Sequence, residues 1–226
     1  MNQFAAIWVY AEAVMGDMSL INVASHIASD IASVLGIPTT ALGATLRSYI
    51  ERQQEVALKI LLEELTKGKI DDLHVAAEDE RVAIVYQYFI AARNGAARRN
   101  LRLLARSIIG LARRDRLFVD EFSKYQHVLE RLTRDQIVVV GCYLTEFSKH
   151  SQGIEAWKSM VSNLVPNDFP TDGHLRYIIN ECVALGLIVP ASGYGMLVYH
   201  TSPLLHEITE LTDFTEILAE ERARPT

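Results

Sequence analysis

Five arginines recur along one predicted helix and just past its end, and their type and spacing give them the clearest potential to bind a ligand. The five lie on the flank away from a row of leucines, at spacings of 4, 4, 7 and 3: Arg98, Arg102, Arg106, Arg113 and Arg116. They span roughly 27 Å, about the reach of several phosphates. One interpretation is an anionic partner, namely nucleic acid, acidic lipid headgroups or an acidic protein surface. The other is an internal ion-pair network, with the acids of the C-terminal part or with those between Asp71 and Glu80.

No other group of residues in the sequence matches a catalytic, metal-binding or cofactor-binding motif. The run His206-Glu-Ile-Thr-Glu210 begins like the helix of a zinc protease but lacks the second histidine, so it predicts a solvated helix face. His26 and Asp30 are four residues apart and predict a simple hydrogen bond. We therefore expect no cofactor, no metal and no enzymatic activity. An enzyme with an unrecognised site is a third alternative.

The composition predicts a folded protein that is not a general nucleic-acid binder. Half of the 226 residues are hydrophobic, 22% are charged, and the formal net charge is −6. Residues 131–226 hold 7 Lys and Arg against 12 Asp and Glu. The two cysteines lie in apolar helical patterns, and the sequence has neither a signal-peptide pattern nor a continuous apolar run long enough to span a membrane. We expect a protein of the bacterial-type cytosol.

Three consecutive four-residue segments of the form Ala-Ser-x-(Ile/Leu), near the N-terminus, form a short internal repeat. They place Ala24, Ala28 and Ala32 in one row on a predicted helix. A row of small residues lets another helix approach closely, and this contact would be intramolecular. The alternative is contact with a second copy or with a membrane surface, although deep insertion is disfavoured by Asp30.

Apolar spacings of three and four predict most of the chain to be helical. Residues 82–92 are apolar nearly all round, so we expect them to form the central buried helix. Thr133-Arg-Asp-Gln136 matches a capping box, and we place a domain boundary just before it, between a helical body, 1–130, and a C-terminal module, 131–226. Helices are predicted over these ranges: 40–67, 82–92, 96–114, 118–132, 137–149, 154–164 and 172–185.

The C-terminal module contains the one predicted hairpin. Leu187-Ile-Val-Pro190 and Met196-Leu-Val-Tyr-His-Thr201 flank a turn rich in glycine, and Ser202-Pro203 predicts the start of a last helix. The fold class expected is mainly α, a multi-helix bundle followed by a module with one β-hairpin.

The order helix, helix, helix, hairpin, helix resembles winged-helix domains, over roughly the last 90 residues. The stretch Asn180-Glu-Cys-Val-Ala-Leu-Gly-Leu-Ile-Val carries the resemblance, together with Gly193-Tyr-Gly195 and Tyr199-His-Thr-Ser-Pro. The resemblance implies that the third helix is the recognition helix. Its outer face would then present His174, Arg176, Tyr177 and Asn180.

That outer face and the wing hold too few cations for strong phosphate binding. The leading hypothesis is therefore a regulatory or interaction protein that uses the module to dock a protein partner or a second copy, and we expect a homo-oligomer. The alternative is a nucleic-acid-binding regulator that contacts phosphates through the arginines Arg98 to Arg116.

Overall fold

The computed structural model describes residues 39–68, 77–149, 153–193 and 196–223. This part of the chain is mainly helical, with one two-stranded antiparallel sheet, as the sequence predicts. Ala24, Ala28 and Ala32 lie outside the described residues. The elements in chain order are α1 (Thr39–Lys67), α2 (Glu78–Arg93), α3 (Arg98–Arg113), α4 (Val119–Leu129), α5 (Arg134–Lys149), α6 (Gly153–Leu164), α7 (Asp172–Ala184), β1 (Ile188–Gly193), β2 (Met196–Thr201), α8 (Pro203–Leu211) and α9 (Phe214–Ala223).

The chain divides into two compact units, Met1–Ser123 and Lys124–Thr226. The division falls inside α4, slightly before the boundary that the sequence predicts at 130/131. Among the described helices, none combines the length and the apolar character that crossing a membrane requires.

Among the described helices of the N-terminal unit α3 is the most completely buried, and the expectation that 82–92 would form the central buried helix is wrong. Every residue of α3 from Leu103 to Ala112 is buried, whereas Tyr86 in the middle of α2 is 42% exposed. The physical reason is residue size. Ala105, Ser107 and Gly110 lie between the leucines of α3, so neighbouring helices can pack closely on several sides of it.

Helix α1 packs against α3, and α2 contacts both of them. The hydroxyl of the buried Tyr88 in α2 donates a hydrogen bond of 2.9 Å to the Ala57 carbonyl of α1. Burial, with a smaller contribution from Glu64, raises the pKa of this phenol. The polar end of an otherwise apolar ring is thereby satisfied inside the unit.

In the C-terminal unit α5 is the central helix, and it packs against α6, α7 and α9. The predicted capping box is confirmed: Gln136 N donates to Thr133 Oγ1 at 3.2 Å, and Thr133 N donates to Gln136 Oε1 at 3.0 Å. Gly141 marks the closest approach of α9, because a Cβ built there would lie 2.9 Å from Cδ2 of Leu218.

The hairpin pairs Ile188 with Thr201 and Gly193 with Met196. It is held to the helices by Tyr199, whose carbonyl accepts a hydrogen bond from the Tyr143 hydroxyl and whose ring lies 4.8 Å from that of Trp157. After the hairpin, Ser202 caps α8 as predicted, by accepting from Leu205 N at 3.0 Å.

The single last helix that the sequence predicts is in fact two, α8 and α9. The helix ends at Leu211, and Asp213 Oδ1 accepts from Glu216 N at 3.4 Å, which favours a new helical start.

Candidate functional site

The arginine row of α3 and the turn after it is only partly buried: Arg106 and Arg102 lie against α1, whereas the other three arginines are exposed. Arg106 is buried, and its Nε lies 2.9 Å from Oε2 of Glu64 in α1, whose side chain is only 4% exposed. Arg102 approaches the other carboxylate oxygen of Glu64, with 3.9 Å between Nε and Oε1. One acid of the same unit therefore serves two of the five arginines.

The remaining arginines of the row do not form a continuous exposed ladder. Arg113 donates from Nη2 to the Gly68 carbonyl at the end of α1, at 2.8 Å. Arg116 pairs with Glu121 at 2.8 Å between Nη2 and Oε2, and Arg98 is exposed at the start of α3. Three members of the row thus hold α1 against α3, which is a structural role.

The sequence analysis did not identify Glu64, although a signal for it existed. In α1 the buried residues Ala57, Leu61 and Glu64 are spaced four and three apart, so a carboxylate stands on the inward row of an amphipathic helix. A charge at such a position requires a partner, because an isolated buried carboxylate is strongly unfavourable.

The four residues assigned to the outer face of the third helix of the module all lie on the exposed side of α7. They are His174, Arg176, Tyr177 and Asn180, and Tyr177 is 60% exposed. The opposite side is buried through Leu175, Ile178, Ile179 and Cys182. Helix α7 begins at a capping residue, Thr171, whose Oγ1 accepts from His174 N at 3.2 Å. The exposed side of α7, from Asp172 to Asn180, is called the α7 face below.

Charges on the α7 face cancel within one helical turn. Arg176 Nε lies 2.7 Å from Oδ2 of Asp172, and this hydrogen bond raises the pKa of the guanidinium. Glu181, beside the face, is half-buried. It accepts hydrogen bonds from Gln136 Nε2, at 3.1 Å, and from the Tyr177 hydroxyl, and the second bond raises the pKa of Tyr177. The face therefore offers an aromatic side chain and a balanced ion pair.

The remainder of the C-terminal unit is much more acidic than the α7 face. Helices α8 and α9 and their connection carry exposed carboxylates at Glu210, Asp213 and Glu216. His206 is also exposed, with Nε2 at 3.3 Å from Glu210 Oε1, so this stretch is the solvated helix face that its sequence predicts. Within the described parts of the chain, no group of three His, Cys, Asp or Glu side chains could hold a metal ion.

A polar cleft of about 530 Å³ lies between α5, the end of α6 and α9, and sequence reasoning missed it. Helix α5 contributes four side chains at helical spacing, which are Cys142, Thr145, Glu146 and Lys149. The other lining residues are Asn163, Asn167, Asp168, Leu218 and Arg222. Since these residues come from three separate segments, only the tertiary fold brings them together.

Two ion pairs occupy the walls of this cleft. Glu146 is buried and accepts from Lys149 Nζ at 2.8 Å and from Ser159 Oγ at 2.6 Å. Asp168 Oδ2 accepts from Arg222 Nη2 at 2.7 Å. Burial raises the pKa of the Cys142 thiol, so it is not an activated nucleophile.

Comparisons with protein-family models, with curated proteins and with solved structures found no match to this chain.

Proposed function

We propose that this chain is a non-enzymatic regulatory protein of the cytosol that pairs with a second copy of itself through the α7 face. The order of α5, α6, α7, the hairpin and α8 supports the interpretation of the C-terminal unit as a winged-helix-like module. In this proposal the helix that resembles a recognition helix serves as a docking element for protein.

The observation that carries the proposal is the charge balance of the α7 face. Two copies of a unit whose residues 131–226 hold 7 Lys and Arg against 12 Asp and Glu repel each other over most of their surfaces. On the α7 face Asp172 and Arg176 neutralise each other at 2.7 Å, so a second copy can approach there. Residue 173 is a glycine with no atom nearer to a Cβ position than Thr171 Oγ1 at 3.8 Å, which leaves room for that approach.

The face is also self-complementary. A two-fold axis on the side of α7 that carries Asp172 and Arg176, level with position 174, would place Asp172 of each copy against Arg176 of the other. These two residues lie at equal distances along the helix from that level. Tyr177, at 60% exposure, belongs to a residue type that is enriched among the residues that dominate binding energy at protein interfaces.

Nucleic-acid binding through the arginine row has less support. Arg106 is buried against Glu64, and Arg113 and Arg116 also have partners in the N-terminal unit. A phosphate ligand would have to compete with these contacts. Affinity for nucleic acid comes from protein cations that neutralise phosphates and so release the counterions bound to the nucleic acid.

Sedimentation velocity of the full chain over a wide concentration range tests the proposal. We expect a concentration-dependent dimer in the native protein and a large loss of dimer in Tyr177→Ala. The matched control is Tyr86→Ala, which removes another exposed tyrosine, from α2. A native protein that stays monomeric, or equal losses in both variants, would contradict self-association through α7.

A further inference from the structure

The cleft between α5, α6 and α9 has the properties of a ligand site, and none of its lining residues belongs to α7. Its volume of about 530 Å³ is within the range of small-molecule sites. We propose that the cleft binds a small hydrophilic carboxylic acid, with the carboxylate held by Lys149 and Arg222.

The first argument is the balance of hydrogen-bond donors and acceptors. Lys149 and Arg222 each carry several N–H donors, and their bonds to Glu146 and Asp168 use only part of them. Their side chains are 58% and 37% exposed, whereas those of Glu146 and Asp168 are 5% and 18% exposed. A molecule that enters from solvent therefore meets the two cations before the two carboxylates.

The second argument concerns charge. The two cations and two carboxylates that line the cleft cancel, and the surrounding unit is acidic. A dianionic phosphate would be repelled by this environment, while a singly charged carboxylate gains charge-assisted hydrogen bonds at a smaller electrostatic cost.

The third argument concerns the rest of the ligand. Apart from Leu218 and Cys142, the lining consists of polar side chains, among them the amides of Asn163 and Asn167 and the hydroxyl of Thr145. These side chains can form hydrogen bonds with hydroxyl groups, and the apolar atoms of the lining can contact the carbons between them. The ligand class that fits is a hydroxy acid.

Calorimetric titration of the full chain with gluconate tests the site, since gluconate is a singly charged hydroxy acid. Sorbitol is the matched neutral probe, because it keeps the hydroxyls and lacks the carboxylate. Glucose 6-phosphate tests the phosphate alternative. We expect saturable binding of gluconate and little or none of the other two. Absence of gluconate binding, equal binding of sorbitol, or tighter binding of glucose 6-phosphate would each overturn the proposal.

Substitutions at Asn163 locate the binding. This residue is exposed at the rim, so charges can be introduced there without changing a buried contact. We expect Asn163→Asp to weaken gluconate binding about tenfold and Asn163→Lys to preserve or strengthen it, because the new charges act on the carboxylate in opposite directions. Asn180→Asp, which adds the same charge on α7, should leave binding unchanged. Equal effects of the two Asn163 variants, or an effect of Asn180→Asp as large as that of Asn163→Asp, would show that the cleft is not the site.

Discussion

Arg106 and Glu64 form a buried ion pair that joins α3 to α1, with 2.9 Å between Nε and Oε2. Both residues are less than a tenth exposed. The pair gives one member of the arginine row a role inside the N-terminal unit, and Arg113, which donates to the Gly68 carbonyl, has another.

Arg106→Gln should destabilise the protein by about 3 kcal/mol, because removal of one partner leaves the Glu64 carboxylate buried without its nearest cation. Lys67 and Arg102, at 3.5 and 3.9 Å from Glu64, limit the loss. The free energy of unfolding from urea titration measures it. Arg98→Gln is the control, since this exposed arginine should change stability by less than about 0.5 kcal/mol. Equally small changes in the free energy of unfolding of Arg106→Gln and Arg98→Gln would show that the buried ion pair does not stabilise the fold.

Gly141→Ala should also destabilise the protein, by about 1–3 kcal/mol, because the new methyl group would meet three atoms of Leu218 at 2.9 to 3.1 Å. Gly173→Ala adds the same group on α7, where its nearest neighbour would be Thr171 Oγ1 at an ordinary contact distance of 3.8 Å, and helix propensity predicts a neutral change or a gain of up to about 1 kcal/mol. Thermal melting of dilute protein compares the two variants. A melting temperature of Gly141→Ala equal to or above that of the native protein would mean that α9 does not approach α5 as closely as described.

Stability should fall as the pH rises above about 9. Burial raises the pKa of Cys182 from 9.0 to about 12, and burial raises that of Tyr143 from 10.0 to about 12. Between these values the unfolded chain releases protons that the folded chain retains, so unfolding is favoured, by at most about 1.4 kcal/mol per pH unit for each group.

Urea titrations at several pH values test this dependence. Below pH 9 these two groups should contribute no slope. In Cys182→Ala the decline between pH 9 and 12 should be smaller than in the native protein, whatever the cost of the cavity at neutral pH. An identical slope in both proteins would show that the Cys182 thiol ionises as easily in the folded state as in the unfolded chain.

Local signals in the sequence predicted much of the fold. The capping box at Thr133, the Ser202 cap and the hairpin depend on residues close together in the chain, and each is present in the structure. The break between α8 and α9 also had a local signal, since Asp213 and Glu216 have the spacing of a capping pair, but it was not recognised.

Features that depend on tertiary packing were not predictable in this way. The small residues of α3 permit close packing, but which of α2 and α3 is more buried depends also on which surfaces α1 covers. The cleft was missed for the same reason: Lys149, Asp168 and Arg222 are distant in sequence and become neighbours only when α9 packs on α5.

The central claim, pairing of two copies through α7, is tested most directly by charge reversal and mixing. Asp172→Arg and Arg176→Asp should each weaken the dimer, because like charges would then face each other across the two-fold axis. Circular dichroism of each variant checks that its fold is retained. An equimolar mixture of the two variants should recover the dimer in sedimentation velocity, because every arginine then meets a carboxylate of the other copy. A native dimer that neither single substitution weakens, or a mixture that remains as monomeric as its components, would contradict the account.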